Sequence, residues 1–174
     1  MYYEWVMKSI HGGKVDRAHT IPIIQRYNVA EHSFNAMVLS RCICEELDRP
    51  FAGVLNYLLF HDVAEVHTGD IPAPIKKVLP GIYEIEQDWM DEHSPQFSTA
   101  VFPEEKELAS LCDTLELLLF CLEESRLGNR HPLFVDMMLK AYHYARDKMI
   151  NMQRCETALE IMSECRRTIK EISI

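Results

Sequence analysis

Residues 104–127 impose the tightest constraint on what this chain can build. Leu108, Leu111, Cys112, Leu115, Leu118, Leu119 and Leu122 recur at helical spacing through one uninterrupted stretch. A helix this apolar has to lie among other helices. Yet Asp113 and Glu116 sit inside it, beside the apolar stripe. A carboxylate in the middle of a core helix is costly unless a donor or a cation meets it. The segment that makes the core therefore also demands a polar partner within it.

The rest of the chain repeats the helical pattern. Residues 2–10 read as a short amphipathic helix ended by Gly12-Gly13. Asn28-Val-Ala-Glu31 is an N-cap signal, and the helix behind it runs to about Leu47 on Ala36, Val38, Leu39, Ile43 and Leu47. Further helices are expected over 52–66, 82–93, 133–147 and about 151–170, with one short turn at 75–79. Residues 14–28 carry weak periodicity and read as loop. Residues 67–74, with Gly69, Pro72 and Pro74, read as a rigid loop, and Pro95 to Pro103 as a connector. No stretch alternates as a strand would. The expected architecture is an all-α helical bundle, with residues 1–174 forming a single domain.

Charge and composition narrow the partners. A formal charge of −9 over 174 residues argues against a broad nucleic-acid surface, although a local basic pocket could still hold a small phosphorylated ligand. No apolar run is long enough to span a bilayer, and Met1-Tyr-Tyr-Glu-Trp is no signal peptide. The six cysteines form no Cys-x-x-Cys pair, so reduced, mostly buried thiols in a cytoplasmic protein are expected.

The chemistry gathers around Leu58-Leu-Phe-His61-Asp62-Val-Ala-Glu65. Read as a helix, Leu55, Leu58, Leu59 and Val63 hold the core face, with His61 and Asp62 at its edge and Glu65 one turn on. His32 falls in the first turn of its own helix; Glu31 already has a capping role. His32, His61, Asp62 and Asp113 make two imidazoles and two carboxylates. That set suits one divalent transition metal per subunit, Co²⁺, Mn²⁺ or Zn²⁺, better than a closed structural zinc site. Arg26 reads as solvated surface charge.

The order His, His-Asp, Asp on successive helices resembles the HD-domain phosphohydrolases, and more closely their YfbR-like 5′-deoxynucleotidase branch. The matching pieces are Asp16-Arg17, Asn28-Val-Ala-Glu-His-Ser33, His61-Asp-Val-Ala-Glu65, Thr68-Gly-Asp-Ile-Pro-Ala-Pro74 with Lys76, Cys112-Asp-Thr-Leu115 and Cys121-Leu-Glu-Glu124. The resemblance implies an HD-type bundle with His32, His61, Asp62 and Asp113 on the metal. It implies that Glu65 acts on the attacking water, that Arg17 grips the phosphate, and that Asp70 assists. Substrate contacts are expected from Arg17, Ala18, Thr20, Asp62, Asp70, Ile71, Pro72, Ala73 and Pro74. Lys76 is either a second phosphate cation or a solvated lysine beside Lys77.

One departure is visible. The family's bacterial nucleotidases place a tryptophan after the arginine, excluding a ribose 2′-hydroxyl; here Ala18 stands there, followed by His19-Thr20. Shortness and this stretch are similar to the phage dATP triphosphohydrolase branch. The expectation is therefore a deoxynucleotide phosphohydrolase favouring dATP, with dADP and dAMP, and giving deoxyadenosine. The alternatives are a general 5′-deoxynucleotidase acting on dNMPs, and a metal- or nucleotide-binding regulatory domain without turnover. The resemblance also implies a homo-oligomer. Tyr142 and the Met137, Met138, Met149 and Met152 stripe would line an interface or simply pack the core.

Overall fold

The computed structural model describes residues 2–93, 101–150 and 152–172. Along it run α1 (Tyr2–Gly12), α2 (Val29–Glu46), α3 (Ala52–Phe60), α4 (Glu65–Thr68), α5 (Ala73–Lys76), α6 (Ile82–His93), α7 (Pro103–Arg126), α8 (Pro132–Met149) and α9 (Glu156–Ile172). Among the described residues the only extended pairing is one antiparallel bridge between Asp16 and Asn28. No helix among them is long and apolar enough to cross a membrane. Most of the expected Pro95–Pro103 connector and the expected helical start at residue 151 lie outside the described residues.

α7 is the axis, packed by α2, α3, α8 and α9. Leu108, Leu111, Leu115, Leu118 and Leu122 are buried, and so are Ala109, Cys112 and Cys121 beside them. Each fully buried leucine contributes about 1.5–3 kcal/mol of transfer free energy, so this one helix anchors the core. α9 adds an amphipathic face of Ala158, Ile161, Met162 and Cys165 at i, i+3, i+4 and i+7. Met138 is buried, and Met137, Met149, Met152 and Tyr142 are partly buried against the same core, so that stripe packs inward. A second, smaller cluster joins Phe60, Val63, Ala64 and Met90, with Trp5 and Trp89 against it. All six cysteines are free thiols; Cys42 is exposed and the other five are buried.

Two expectations need correction. Val38, Leu59 and Leu119, read as core, are exposed. Each lies outside the arc its neighbours cover, and scattered surface apolar residues are ordinary. The helix expected over 52–66 also stops at Phe60. Beyond it, the amides of Val63, Glu65, Val66 and His67 donate to the carbonyls of Phe60, Asp62, Val63 and Ala64 at 3.1, 3.0, 3.2 and 2.9 Å. This is three-residue winding, tighter than an α-helix. In it Asp62 and Glu65, three apart, come onto one side.

Two further features steer this turn. Gly12, at the end of α1, lies so close that a Cβ there would meet the Val63 carbonyl oxygen at 2.8 Å. Gly69, at φ 74°, ends α4 in the left-handed region that glycine enters freely.

The segment between α1 and α2 is a closed loop. The Arg17 amide donates to Tyr27 O at 2.8 Å, Val29 to Val15 O at 3.0 Å and Ala30 to Gly13 O at 3.0 Å. Its tip is held from α7: fully buried Glu124 accepts from the amides of Ile24 and Gln25, both at 2.8 Å. Asn129 Nδ2 donates to Glu124 at 2.7 Å and to Pro22 O at 2.9 Å.

Candidate active site

Three elements deliver the imidazoles and carboxylates. The Asn28 side chain caps α2 by accepting from the Glu31 amide at 3.0 Å, which sets His32 in the first turn. His61 and Asp62 stand in the turn after α3, and Asp113 on α7. One ligand-type atom from each of His32, His61 and Asp62 falls within 4.8 Å of the others. Asp113 Oδ1 closes the group, 2.9 Å from His32 Nε2 and 3.7 Å from His61 Nε2. Asp62 Oδ2 lies 3.3 Å from His61 Nε2 and 3.8 Å from His32 Nε2.

Both Nε2 atoms are buried, and neither makes a hydrogen bond of acceptable geometry. Their other nitrogens are occupied. His61 Nδ1 donates to the Leu58 carbonyl at 2.9 Å, and His32 Nδ1 to Glu116 Oε2 at 2.5 Å. That tautomer aims a lone pair from each ring at the two carboxylates, the arrangement a divalent cation requires.

The charges agree. Burial and Arg17 push the His32 imidazole down, but Asp113 close to Nε2 and Glu116 on Nδ1 outweigh them and raise it to about 9. Burial also opposes charge on Asp62 and Asp113, yet both are held below the usual carboxylate range. Asp62 is lowered by His61 and then Arg17, and Asp113 by the nearby His32 and His61 rings. The centre thus draws a positive charge to the Nε2 atoms, and a bound cation would take the proton's place. The donors present fit a single mid-row divalent ion.

Around this centre stand the groups for a phosphate and a water. Arg17 pairs with Asp62, lies 5.7 Å over the Tyr27 ring, and keeps a buried Nε with no partner. Glu65 is buried; its Oε1 accepts from Lys76 at 2.9 Å, while its Oε2 has no partner. Burial and then Asp62 raise its carboxyl to about 7 against the pull of Arg17 and Lys76. Lys76 is not a solvated lysine, since its Nζ also lies 2.9 Å from Glu86 Oε1 and its side chain is largely buried. Thr68 donates to the same Glu86 oxygen at 3.2 Å.

Asp70 Oδ2 accepts from the Ala18 amide at 2.9 Å and lies 3.8 Å from His19 Nδ1. Ala18 itself sits at φ 54°, unusual for alanine, where the loop turns after Arg17. Thr20 is exposed, and Ile71 and Pro72 are half-buried beside Asp70 in sequence. Ala73 and Pro74 begin α5, but their side chains lie outside the described residues. Arg26 is exposed and pairs with Asp16 at 3.1 Å.

Sequence reasoning did not assign Tyr27, Asn35, Glu86, Glu116 or Glu124 to the site. Glu116 did carry a signal, as a carboxylate inside an apolar helix. Glu124 stood at the end of a matching motif with no role attached, and Tyr27, Asn35 and Glu86 carried no signal.

Comparison with known proteins follows the same lines. The family described as 5′-deoxynucleotidase YfbR-like matches residues 13–162. A 5′-deoxynucleotidase YfbR from Escherichia coli O127:H6 is 30% identical over 146 residues, covering 71% of this chain and 73% of the relative. The solved structure of the cyanophage S-2L HD phosphohydrolase DatZ, bound to dA and one catalytic Zn²⁺ ion, superposes with TM-score 0.67 at 24% identity, covering 95% of this chain and 96% of that one. A conserved hypothetical protein from Pyrococcus furiosus superposes with TM-score 0.74 at 19% identity, over 95% and 99%.

Proposed function

The chain belongs to the YfbR-like family of HD-domain phosphohydrolases, and from that premise we propose that it hydrolyses 2′-deoxynucleotides, favouring dATP, with dADP and dAMP, and giving deoxyadenosine. Residues 1–174 then form one phosphohydrolase domain, carrying one divalent transition metal in each subunit of a homo-oligomer. The observation that carries the reading is the convergence of His32, His61, Asp62 and Asp113 beside a partnerless Arg17 Nε and a partnerless Glu65 Oε2.

When bound, the cation supplies Lewis acidity at the phosphoryl group and to the attacking water. The chain's own residues do the rest. Arg17 turns its free Nε–H to a phosphate oxygen and offsets charge that grows on it during attack. Glu65 accepts the proton of the water through Oε2, and its pKa near 7 suits a base working at neutral pH. Lys76, bridged to Glu86, fixes the other Glu65 oxygen. Asp70 holds the Ala18 backbone, and with His19 it stands ready to pass a proton to the departing sugar oxygen. The water oxygen bonds to the phosphorus nearest the sugar as the bond to the 5′-oxygen breaks. A triphosphate would therefore leave intact.

The adenine preference is supported by the likeness to a fold bound to dA, and by the similarity of the Arg17-Ala-His-Thr20 stretch to the phage branch. A general dNMP 5′-deoxynucleotidase is the second reading, favoured by the name of the 30% identical relative. Product chromatography after incubation with a panel of dNMPs and dNTPs, with Co²⁺, Mn²⁺ or Zn²⁺ added, separates the two. Turnover confined to adenine deoxynucleotides, dATP included, supports the first. Turnover of many dNMPs and no triphosphate supports the second. No turnover with any metal defeats both and leaves a binding domain.

A further inference from the structure

We propose that Glu116 is a positioning residue for the cation, acting through His32 as the buried anion that fixes this imidazole's tautomer and ring plane. The inference rests on the metal-dependent reading above. Glu116 is 1% exposed and His32 fully buried, so neither is reached by solvent. Glu116 Oε2 accepts from His32 Nδ1 at 2.5 Å and from the hydroxyl of Tyr27, itself buried and 3.0 Å from the same Nδ1. Asn35 Nδ2 donates to Glu116 Oε1 at 3.3 Å. Tyr27 is stacked on Phe120 at 4.0 Å between ring centroids, which prevents its hydroxyl from wandering.

The arrangement has direction. Glu116 and Asp113 stand three residues apart on α7, and they address opposite nitrogens of one ring: Asp113 faces Nε2 and Glu116 holds Nδ1. With Nδ1 committed as donor, only Nε2 can present a lone pair. A carboxylate accepting from Nδ1–H also makes the ring a stronger electron donor at Nε2. His61 has only the neutral Leu58 carbonyl behind it. The two histidines are therefore unequal ligands, and His32 is the stronger.

A purely structural carboxylate, kept only to satisfy Tyr27, would predict none of this. The test is Co²⁺ titration of the full chain, followed by visible absorption, for the wild type and Glu116→Gln, with the melting temperature of each metal-free protein measured in parallel. Glu116→Gln keeps the shape and removes the charge. The expected result is a Co²⁺ affinity about 10–100-fold weaker, one ion still bound per chain, and an altered absorption band. Wild-type affinity in a folded Glu116→Gln protein would overturn the inference and leave the metal-dependent reading standing. A wild type that binds no Co²⁺ would overturn both.

A measurement without a variant guards against misfolding. Nitrogen-15 NMR of the Zn²⁺-loaded wild type should show His32 protonated at Nδ1, with that proton slow to exchange. A His32 that carries no proton at Nδ1 would overturn the inference as well.

Discussion

The two sides of the site are made of different material. His32, Asp113 and Glu116 project from α2 and α7, the helices that also make the core. Arg17, Ala18, Asp70 and Lys76 sit on the loop before α2 and on the turns around α4 and α5, where little backbone ladder holds them. Their places are set by carboxylates reaching in: Asp70 to Ala18, Glu124 to Ile24 and Gln25, Glu65 and Glu86 to Lys76. The helical side cannot move without disturbing the core. The loop side can lose its geometry to one lost carboxylate while the core stays whole. The difference suits the division of labour, because a cation needs fixed donors and a nucleotide has to enter and leave.

The largest effect belongs to the cation's own donors. His61→Ala should lose bound metal and turnover together, read by elemental analysis and product release; an active, metal-loaded variant would break the assignment. Glu65→Gln should separate the two readouts. Its kcat should fall about 10²–10⁴-fold, as for loss of a general base, with metal content unchanged.

Glu124→Ala tests the loop side. It strands the amides of Ile24 and Gln25, which are only partly buried, and the buried Asn129 side chain, at a cost of about 1–3 kcal/mol. The melting temperature should drop and KM rise, while Co²⁺ affinity stays near wild type. Equal loss of Co²⁺ binding would erase the distinction between the sides.

The smallest effect lies away from both. Glu46 accepts from the amides of Glu156 and Thr157 and from the Cys155 thiol, capping α9 from another helix. Slight burial raises its carboxyl, but these three donors outweigh that and hold it at about 2. A carboxyl lowered in the folded state lends stability that is present above about 4.5 and lost as pH falls toward 2. Glu46→Gln should therefore flatten the acid limb of the stability curve and leave activity at neutral pH alone. A limb unchanged by the substitution would remove this role.

Much of this was legible in sequence because it is local. The cap at Asn28 and the apolar periods of α2, α7 and α9 are set by neighbours three and four residues away. The His61-Asp62 pair and the glycine after Thr68 could be read as a site by resemblance. What could not be read was non-local. Nothing in Phe60-His-Asp-Val-Ala-Glu65 marks a change from four-residue to three-residue winding, since no proline or glycine interrupts it. The change is imposed by α1 and α6 packing around Val63 and Met90. Glu124 read only as one end of a motif, because its partners stand about a hundred residues earlier. Lys76 stood open between a phosphate cation and a solvated lysine, because the Glu86 that pairs with it comes from α6.

Gly12 carries this one step further. It binds nothing and lies on the far end of the first helix, yet a methyl group there would press on the carbonyl of Val63, between Asp62 and Glu65. In a randomised library screened for turnover, position 12 would score like a member of the chemistry. An engineer redesigning the N-terminal helix, by fusion, tag or truncation, would be editing the reaction centre without touching it.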